Sequence, residues 1–479
     1  MSTLTPATLR RLPRALRPGP RPSEVGIVHF GLGAFHRAHQ AVFTEEAIAA
    51  AGGDWGICGV SPRGSHAARS LAAQDGLYTV LQRDGDTTTA RVVGAVIETR
   101  CGMTEREHIL ARVASSRTQV LTMTVTEKGY LPGAAGETSV LDQILAGLRR
   151  RADADGGPIT ILCCDNLPNN GAVIRDALTM RAAFDDREHP GARLEEWIDE
   201  HVAFPSSVVD RITPATTEQD IAEVEELLGV RDAVPVVTEP YSSWIIEDRF
   251  AGTRPAWERA RVRLTKDVAP HEKLKLRLLN GSHSAISYLG ALAGAQTIAE
   301  ALADQHLAEV VTRLMREDVA PTLTAPSEID LDSYQQSVMT RFRNPALHHA
   351  TWQVASDGSQ KLPLRLVPVV RERMRSGGRP PAWATLAIAA WMRFMTAPAN
   401  DVGAPILISD PLAPLIRAVT RSSDDARSIV ENLLSLEQVF GSDLRESIEL
   451  TAALTDWLQE LTLDGTRATL RHALSRSDA

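Results

Sequence analysis

Short apolar runs alternate with amphipathic segments through the first half of the chain. The runs are apolar at successive positions, as strands buried on both faces are, and the segments between them repeat apolar residues at helical spacing. This alternation predicts a mostly parallel sheet covered by helices. The predicted strands are 26–30, 55–60, 120–126, 159–164 and 234–238, and the predicted helices between them include 39–51, 105–115 and 140–151.

Two further segments, 78–83 and 90–98, flank the turn residues Asp84, Gly85 and Asp86. Strand-forming residues on both sides of a tight glycine-containing turn predict an antiparallel hairpin. We expect this hairpin to extend the sheet.

From about Pro270 onward the pattern becomes helical, with loops expected at 344–345 and 357–363. A strand-like run at 261–268 ends the first part. We therefore expect an N-terminal arm at 1–23, an α/β domain at 24–268 and a mainly α-helical domain at 269–479. The predicted helices of this last part are 273–292, 298–316, 382–395, 428–436 and 447–461.

Composition excludes several classes of function. The formal net charge of −9 argues against a protein that binds nucleic acid or an anionic membrane surface. The longest apolar runs are far shorter than the roughly 18 residues of a membrane span, so no membrane association is expected. The four cysteines lack metal-ligand spacing and are expected to be reduced thiols of a cytoplasmic protein, without a bound metal.

The first 23 residues contain five arginines before the first acidic residue, Glu24. This is faintly similar to a transit peptide, but prolines interrupt the segment and it has no apolar core. We favour a surface arm.

The first predicted strand runs into Gly31-Leu32-Gly33-Ala34-Phe35-His36. Two glycines suit a tight strand-to-helix turn at which the backbone approaches a pyrophosphate, as in Rossmann-type dinucleotide-binding domains. His36 replaces the third glycine of that fingerprint, so an ordinary strand-to-helix turn stays open as an alternative.

The second predicted strand ends in Ser61-Pro62-Arg63-Gly64-Ser65-His66. An acid here would bind the adenosine ribose of NAD, and none is present. Arg63, Ser61 and Ser65 are suited to a 2′-phosphate, or they form a solvated loop. The preference between NAD and NADP therefore stays open.

The segment from His271 to His283 carries polar groups on one side. On an α-helix, Lys275, Glu272, His283 and Asn280 fall at roughly 0°, 60°, 80° and 140° around the axis. An ammonium, a carboxylate, an imidazole and an amide together form a candidate catalytic face. A solvated face with a hydrogen-bonded histidine is the alternative.

The buried strand 159–164 ends in Asp165-Asn166-Leu167-Pro168, followed by Asn169-Asn170-Gly171. Strand carboxyl ends face the ligand crevice in open α/β sheets, which makes Asn166 a candidate ligand. A simple Asx turn or a helix cap is the alternative.

With these segments the sequence resembles the long-chain mannitol dehydrogenase family, which includes mannitol 2-dehydrogenases, arabinitol dehydrogenases and fructuronate (mannonate) reductases. The resemblance covers nearly the whole chain after the arm. It is carried by GLGAFHRAHQ at 31–40, TVTEKGY at 124–130, CDNLP at 164–168, VDRI at 209–212, WIIED at 244–248, KLRLLNGSH at 275–283 and DGSQKLP at 357–363.

The resemblance implies a nucleotide-binding domain followed by a helical domain, and it implies roles for single residues. Lys275 corresponds to the catalytic acid/base, Asn166 and Asn280 to amides that hold the reacting oxygen, His283 to a substrate-positioning imidazole and Glu272 to a carboxylate in the proton path. The substrate-binding candidates are Asp210, Lys361, Gln353 and Arg341, and the cofactor-binding candidates are Gly31, Gly33, Ala34, Phe35, Arg63, Thr126 and Glu127.

Two departures concern the substrate and the cofactor. Mannitol dehydrogenases have an arginine where this chain has Gln353, and Thr351-Trp352-Gln353 is similar to fructuronate reductases. Leu167-Pro168 beside Asn166 instead has the form found in the polyol enzymes. The acidic pair typical of NAD enzymes after the second strand is missing.

We expect a metal-independent oxidoreductase that transfers a hydride between NAD, or NADP, and a polyol/ketose pair. A desolvated lysine can accept the hydroxyl proton near neutral pH, and two amides can stabilise the developing oxyanion. Together they replace the Lewis acid of a zinc dehydrogenase.

Two rival functions stay open. A fructuronate reductase would need an additional cation for the substrate carboxylate, and Arg341, Arg343 and Lys361 are candidates. A catalytically inactive dinucleotide-binding sensor would not need Lys275 and its neighbours. In every case the expected partner is a small molecule, and the chain is expected to be a monomer or a small homo-oligomer.

Overall fold

The computed structural model describes residues 2–62, 64, 66–125, 139–188, 193–423 and 425–477. The chain divides into two compact units, Met1–Ala269 and Pro270–Ala479. The strands all lie in the first unit: β1 (Val25–Phe30), β2 (Gly56–Ser61), β3 (Tyr78–Asp84), β4 (Thr87–Val93), β5 (Val96–Cys101), β6 (Val120–Met123), β7 (Ile159–Cys163), β8 (Val202–Ala203), β9 (Ser207–Asp210), β10 (Val236–Thr238), β11 (Ser243–Glu247) and β12 (Arg263–Thr265).

Six strands form one parallel sheet in the order β5-β2-β1-β6-β7-β8. The chain proceeds outward from β1 through β2 to β5, and then returns to β6 on the other side of β1. The strand order therefore reverses between β1 and β6, which is the switch point at which open α/β sheets bind ligands. The predicted Rossmann-type fold of the first part is confirmed.

The parallel sheet is buried on both faces, which explains the uninterrupted apolar runs. Ile27, Ile57 and Leu162 pack into one core cluster, whereas the adjacent Val28 and Cys58 pack into the other. The helices of this unit are Pro6–Leu9, Ala34–Ala38, Gln40–Ala51, His66–Ala73, Arg106–Ala114, Val140–Asp153, Asn170–Glu188, Leu194–His201 and Glu218–Leu228, with 3₁₀ turns at Arg14–Leu16 and Trp257–Ala260.

The predicted hairpin exists, but it does not extend the main sheet. β3 and β4 pair antiparallel, and β10 joins β3 in a separate three-stranded sheet. The predicted strand 90–98 is wrong as a single element, because it divides between β4 and β5. Glu45 accepts the backbone N–H of Gly94 at 2.5 Å, which ends the ladder of β4. A third small sheet has the order β12-β11-β9.

The N-terminal segment lies on the surface of the first unit and is anchored there by two buried leucines. Leu4 and Leu12 are buried in a cluster with Val224 and Val237. The backbone N–H of Leu4 donates to the carbonyl of Arg231 at 2.8 Å. Apolar side chains spaced between the prolines and arginines account for this docking.

The second unit is helical in all its named elements, which confirms the predicted mainly helical second part. Its α-helices are Ala269–Leu274, Ser282–Leu292, Ile298–Ala301, Gln305–Arg313, Leu331–Phe342, Thr351–Ala355, Gly358–Arg365, Val367–Gly377, Ala382–Thr396, Ala413–Thr420, Ala426–Leu434, Glu437–Phe440, Ile448–Leu463 and Thr466–Ser477. π-Helical segments occur at Lys275–Gly281 and Leu314–Val319, and 3₁₀ turns at Ala320–Thr322, Pro345–Leu347 and Leu444–Glu446.

The loop predicted at 357–363 is wrong, since Gly358–Arg365 is helical. Asp410 accepts the backbone N–H of Ser359 at 2.8 Å and its hydroxyl at 2.5 Å, and so satisfies the first turn of this helix. Of the helices that the structure describes, none has the length and apolarity to cross a membrane. All four cysteines are free thiols.

Candidate active site

A glycine turn follows β1 at the switch point. Gly31 has φ +107°, and a Cβ there would lie 2.1 Å from the carbonyl oxygen of Thr124, so only glycine fits. Gly33 is exposed and caps the helix Ala34–Ala38. A Cβ on Gly33 would meet only the carbonyl of Gly31, at 3.7 Å. The backbone is therefore open where a pyrophosphate would approach it.

The predicted cofactor residues are described in part. Ala34 and Phe35 are half-buried at the start of the helix, whereas His36 and the residues after it are buried. Phe35 stacks on His39 with ring centroids 5.0 Å apart. Arg63, Thr126 and Glu127 lie outside the described residues.

Asn166 follows the carboxyl end of β7 and is exposed. The preceding Asp165 accepts the backbone N–H of Val125 at 3.0 Å, which ties the end of β7 to the end of β6. Asn170 then donates to the carbonyl of Asp165 at 3.1 Å and to that of Ser207 at 2.8 Å. The turn that carries Asn166 is thereby joined to β9.

β9 ends at the buried Asp210. Asn170 therefore joins the turn that carries Asn166 to the first residue of the strand that ends at Asp210. The pattern of this turn predicted a candidate ligand, Asn166, with an Asx turn or a helix cap as the alternative, but it did not predict a contact with β9. Its Asn169-Asn170-Gly171 signal was present, but the bridge to β9 depends on a strand 37 residues further along the chain.

The helix that carries Lys275 is not a regular α-helix. Residues Lys275–Gly281 are π-helical between α-helical segments, so the prediction of one α-helix over 273–292 is wrong there. A π-helix bonds residue i to residue i+5, and such segments are frequent at functional sites. Lys275 and Asn280 are therefore one turn apart on the same face, instead of roughly 140° apart as in an α-helix.

Buried polar atoms on and directly after this segment are orphaned. Lys275, Asn280 and His283 are all buried. Asn280 Nδ2 and His283 Nε2 have no hydrogen-bond partner among the described residues. A buried polar atom without a partner costs about 1–3 kcal/mol, so these two atoms are suited to a ligand that supplies oxygens.

Cations surround His283. Burial lowers its pKa well below the usual value, and His349, Arg365, Lys361 and Arg341 lower it further. The His283 ring stacks on Phe342 with centroids 4.7 Å apart and meets His349 edge-on at 4.9 Å. Burial, assisted by Lys361, also lowers the pKa of His349 to about 4. The imidazole of His283 is therefore neutral at physiological pH.

Two arginines connect the π-helical segment to the helices packed against it, Arg277 from within the segment and Arg365 from a neighbouring helix. Arg277 makes a bidentate pair with Glu372 at 2.6 and 2.7 Å. Arg365 donates to the carbonyl of Asn280 at 3.3 Å and to Ser284 Oγ at 2.9 Å. These contacts satisfy carbonyl and hydroxyl groups where the helical bonding pattern changes.

The remaining predicted residues of the second unit lie on neighbouring elements. Glu272 is half-buried on Ala269–Leu274, and Gln353 is half-buried on Thr351–Ala355. Lys361 donates to the carbonyl of Val354 at 3.0 Å, next to Gln353. His349, Phe342 and Arg365 were not identified from the sequence. Arg365 follows a segment that was predicted to be a loop, so its helical spacing from Lys361 gave no signal.

Comparison with known proteins matches both parts of the chain. The family model for the mannitol dehydrogenase Rossmann domain matches residues 25–259, and that for the mannitol dehydrogenase C-terminal domain matches residues 267–462. D-mannonate oxidoreductase of Escherichia coli is 36% identical over 93% of this chain and 94% of that protein. Mannitol 2-dehydrogenase of Phaeosphaeria nodorum is 35% identical over 93% of this chain and 80% of that protein.

A solved structure is also similar over the whole chain. The ternary complex of Pseudomonas fluorescens mannitol 2-dehydrogenase with NAD and D-mannitol superimposes with a TM-score of 0.91 at 35% identity, and covers 99% of both chains. Sequence and structure agree over both units, and the chain belongs to the mannitol dehydrogenase family.

Proposed function

We propose that the protein transfers a hydride between NAD and a secondary alcohol of a polyol, with Lys275 as the acid/base. The observation that carries this proposal is the π-helical turn that carries the buried Lys275 and Asn280, with orphaned polar atoms on Asn280 and on the following His283. A protein that only binds a dinucleotide does not need such a turn. The sensor alternative is therefore disfavoured.

Each candidate residue of the second unit has a separate role toward the alcohol group of the substrate. The amine of Lys275 accepts the hydroxyl proton during oxidation and returns it during reduction. The amide of Asn280 donates to the reacting oxygen as negative charge develops on it, and a preorganised donor of this kind is typically worth about 3 kcal/mol. Neutral His283 orients the substrate through Nε2, and Glu272 carries the proton onward. A role for Asn166, on the first unit, stays an expectation from the family resemblance.

The first unit fits a dinucleotide at its glycine turn. Gly33 leaves space for a pyrophosphate beside the first turn of Ala34–Ala38. Bound NAD supplies the nicotinamide that accepts or donates the hydride. The similar mannitol 2-dehydrogenase of Pseudomonas fluorescens binds NAD in its ternary complex, which supports NAD as the cofactor here. The contribution of Arg63 to NADP stays a prediction from the sequence.

The substrate assignment is tested with matched pairs. D-mannitol and D-fructose are compared with D-mannonate and D-fructuronate, each with NAD(H) and NADP(H), by absorbance of the reduced cofactor. The polyol proposal predicts a higher kcat/KM for the neutral pair and a weak dependence on ionic strength, because no substrate charge is steered. Failure of every polyol and ketose to turn over would contradict it.

A sugar acid is the second candidate, and one observation favours it. Arg341, Lys361 and Arg365 all act on His283, so the field at this imidazole is strongly positive and suits a carboxylate. If this candidate is correct, D-fructuronate is preferred and its kcat/KM falls with salt. Lys361→Gln should then reduce the rate with D-fructuronate much more than that with D-fructose, while the exposed control Lys266→Gln changes neither.

A further inference from the structure

A buried histidine lies directly beneath the glycine turn and has no part in the proposed chemistry. His29 is on β1 and is fully buried. Its Nδ1 lies 2.8 Å from Thr122 Oγ1, and its Nε2 lies 3.0 Å from both the carbonyl oxygen of Gly31 and Thr124 Oγ1. The imidazole therefore connects β1, the end of β6 and the glycine turn.

The acceptors around this ring determine its protonation. A carbonyl oxygen only accepts, so Nε2 carries the hydrogen that is donated to Gly31. Nδ1 is then the acceptor, and the Thr122 hydroxyl donates to it. Burial lowers the pKa of His29 to about 3, which keeps the ring neutral. The hydrogen-bond partners then select the tautomer with the hydrogen on Nε2.

The carbonyl of Gly31 receives three donors. The Thr124 hydroxyl donates at 2.8 Å, the backbone N–H of Gly33 at 2.6 Å, and His29 at 3.0 Å. These bonds direct the carbonyl oxygen into the protein. If this peptide were rotated, the Gly31 carbonyl oxygen would point outward. Its negative end would then face an anion bound at the turn, which is electrostatically unfavourable.

His36 stands where the dinucleotide-binding fingerprint has its third glycine, and it packs against the His29 ring. Its ring stacks on His29 with centroids 3.5 Å apart and planes inclined by 15°. Both rings are fully buried, and protonation of either is unfavourable so close to the other. The stack restricts the orientation of His29, and so the direction of its Nε2–H.

We propose that His29 is a positioning residue for the dinucleotide, which sets the Gly31 carbonyl through its Nε2–H and thereby preforms the pyrophosphate turn. His29 does not touch the cofactor; it acts through Gly31. The inference rests on the proposed function in that it requires a dinucleotide at this turn. It adds a determinant of cofactor affinity that lies outside the turn itself.

The test is titration of NADH by fluorescence, without substrate. His29→Phe keeps a ring that can stack on His36 and removes all three polar contacts of the imidazole, so the Kd for NADH should rise about tenfold. His29→Gln restores a donor and should recover part of the affinity. At saturating NADH, kcat should stay within about twofold of wild type. A change confined to the affinity for the cofactor distinguishes positioning from a general structural defect.

Two threonine variants complete the design. Thr124→Val removes another donor to Gly31 from a half-buried position, and it serves if His29→Phe does not fold; it should weaken NADH binding several-fold. Thr160→Val is the matched control, since Thr160 is buried on the neighbouring β7 and bonds the backbone N–H of Ala251. It should alter the Tm without altering the Kd.

The outcomes separate the two claims. Folded His29→Phe and Thr124→Val proteins with an unchanged Kd for NADH would overturn this inference alone. An increase in Kd that Thr160→Val reproduces would also overturn it, because the effect would then be general. Wild-type protein that binds neither NADH nor NADPH would overturn the proposed function together with this inference.

Discussion

At the scale of single residues, the clearest sign of a site is an orphaned donor. Asn280 Nδ2 is buried and has no partner among the described residues, although its backbone carbonyl is held by Arg365. Leaving such a donor unpaired is costly unless a ligand supplies an acceptor. The backbone that carries the amide is therefore held in place while the side-chain donor stays available.

Asn280→Ala tests this role. Loss of a donor to the developing oxyanion should reduce kcat by roughly 10²–10³ while the Kd for NADH changes little. The matched control is Asn432→Ala. It removes an amide that donates to Ser423, and both residues lie far along the chain from Asn280. Steady-state kinetics and NADH titration of both variants check the prediction. Equal losses in the two variants would show that only folding was affected.

The sequence was sufficient to identify the candidate catalytic residues, but it did not predict which other side chains surround them. The spacing of Lys275, Asn280 and His283 identified a polar face, and the glycines identified the turn after β1. The cations around His283 come from helices 58 to 82 residues away along the chain, and only contacts in the folded unit bring them together. Arg365 was missed for this reason.

At the scale of elements, the π-helical segment is the main feature that the sequence analysis did not predict. Residues 275–279 are good helix formers and Asn280-Gly281 are poor ones, but nothing in their periodicity marks an extra residue in the turn. The distinguishing contacts are Arg277 with Glu372 and Arg365 with the carbonyl of Asn280. Both partners lie 85 or more residues along the chain, so local pattern could not reveal them.

The Arg277–Glu372 pair gives a prediction for stability against pH. The hydrogen bond from Arg277 lowers the pKa of Glu372 to about 2, below the unfolded value of about 4.3. Stabilisation by this carboxylate is therefore present above about pH 4.3 and is lost as the pH falls toward 2. Because Glu372 is 39% exposed, we expect only about 1 kcal/mol at neutral pH.

Urea unfolding of wild type and Glu372→Gln between pH 2 and 7 measures this contribution. The difference in the free energy of unfolding should be constant above pH 5 and should disappear near pH 2. Glu431→Gln is the control, since its partner Arg427 is exposed and the pair should contribute little. A difference that grew on acidification would contradict the assigned direction.

At the scale of the whole molecule, the alternation of strands and helices in the first part and the change to helices in the second were predictable, because buried parallel strands and helices have different periods. The placement of the N-terminal segment was not. Its arginines and prolines indicated a surface arm, whereas Leu4 and Leu12 are buried against the first unit. Two leucines are too few for a periodic signal, and partners such as Val224 lie more than 200 residues away.

This docking predicts that the segment stabilises the first unit. Leu12→Ala should lower the free energy of unfolding by about 3 kcal/mol, because it removes a fully packed side chain. Leu407→Ala is the control, since Leu407 is 75% exposed. Denaturant unfolding followed by tryptophan fluorescence compares them. Equal small effects would show that the segment is not held in solution.

The central claim is that Lys275 moves the proton in an NAD-linked alcohol oxidation, and the pH profile of kcat/KM for Lys275→Ala tests it most directly. For wild type, kcat/KM for oxidation should rise with pH as one group loses its proton. In Lys275→Ala, kcat/KM should fall by a factor of at least about 10² and should no longer show this rise with pH. Added methylamine should restore part of the activity. Lys273→Ala, two residues earlier on the same helix, should behave as wild type. A Lys275→Ala protein that kept both the wild-type rate and the wild-type pH profile would contradict the account.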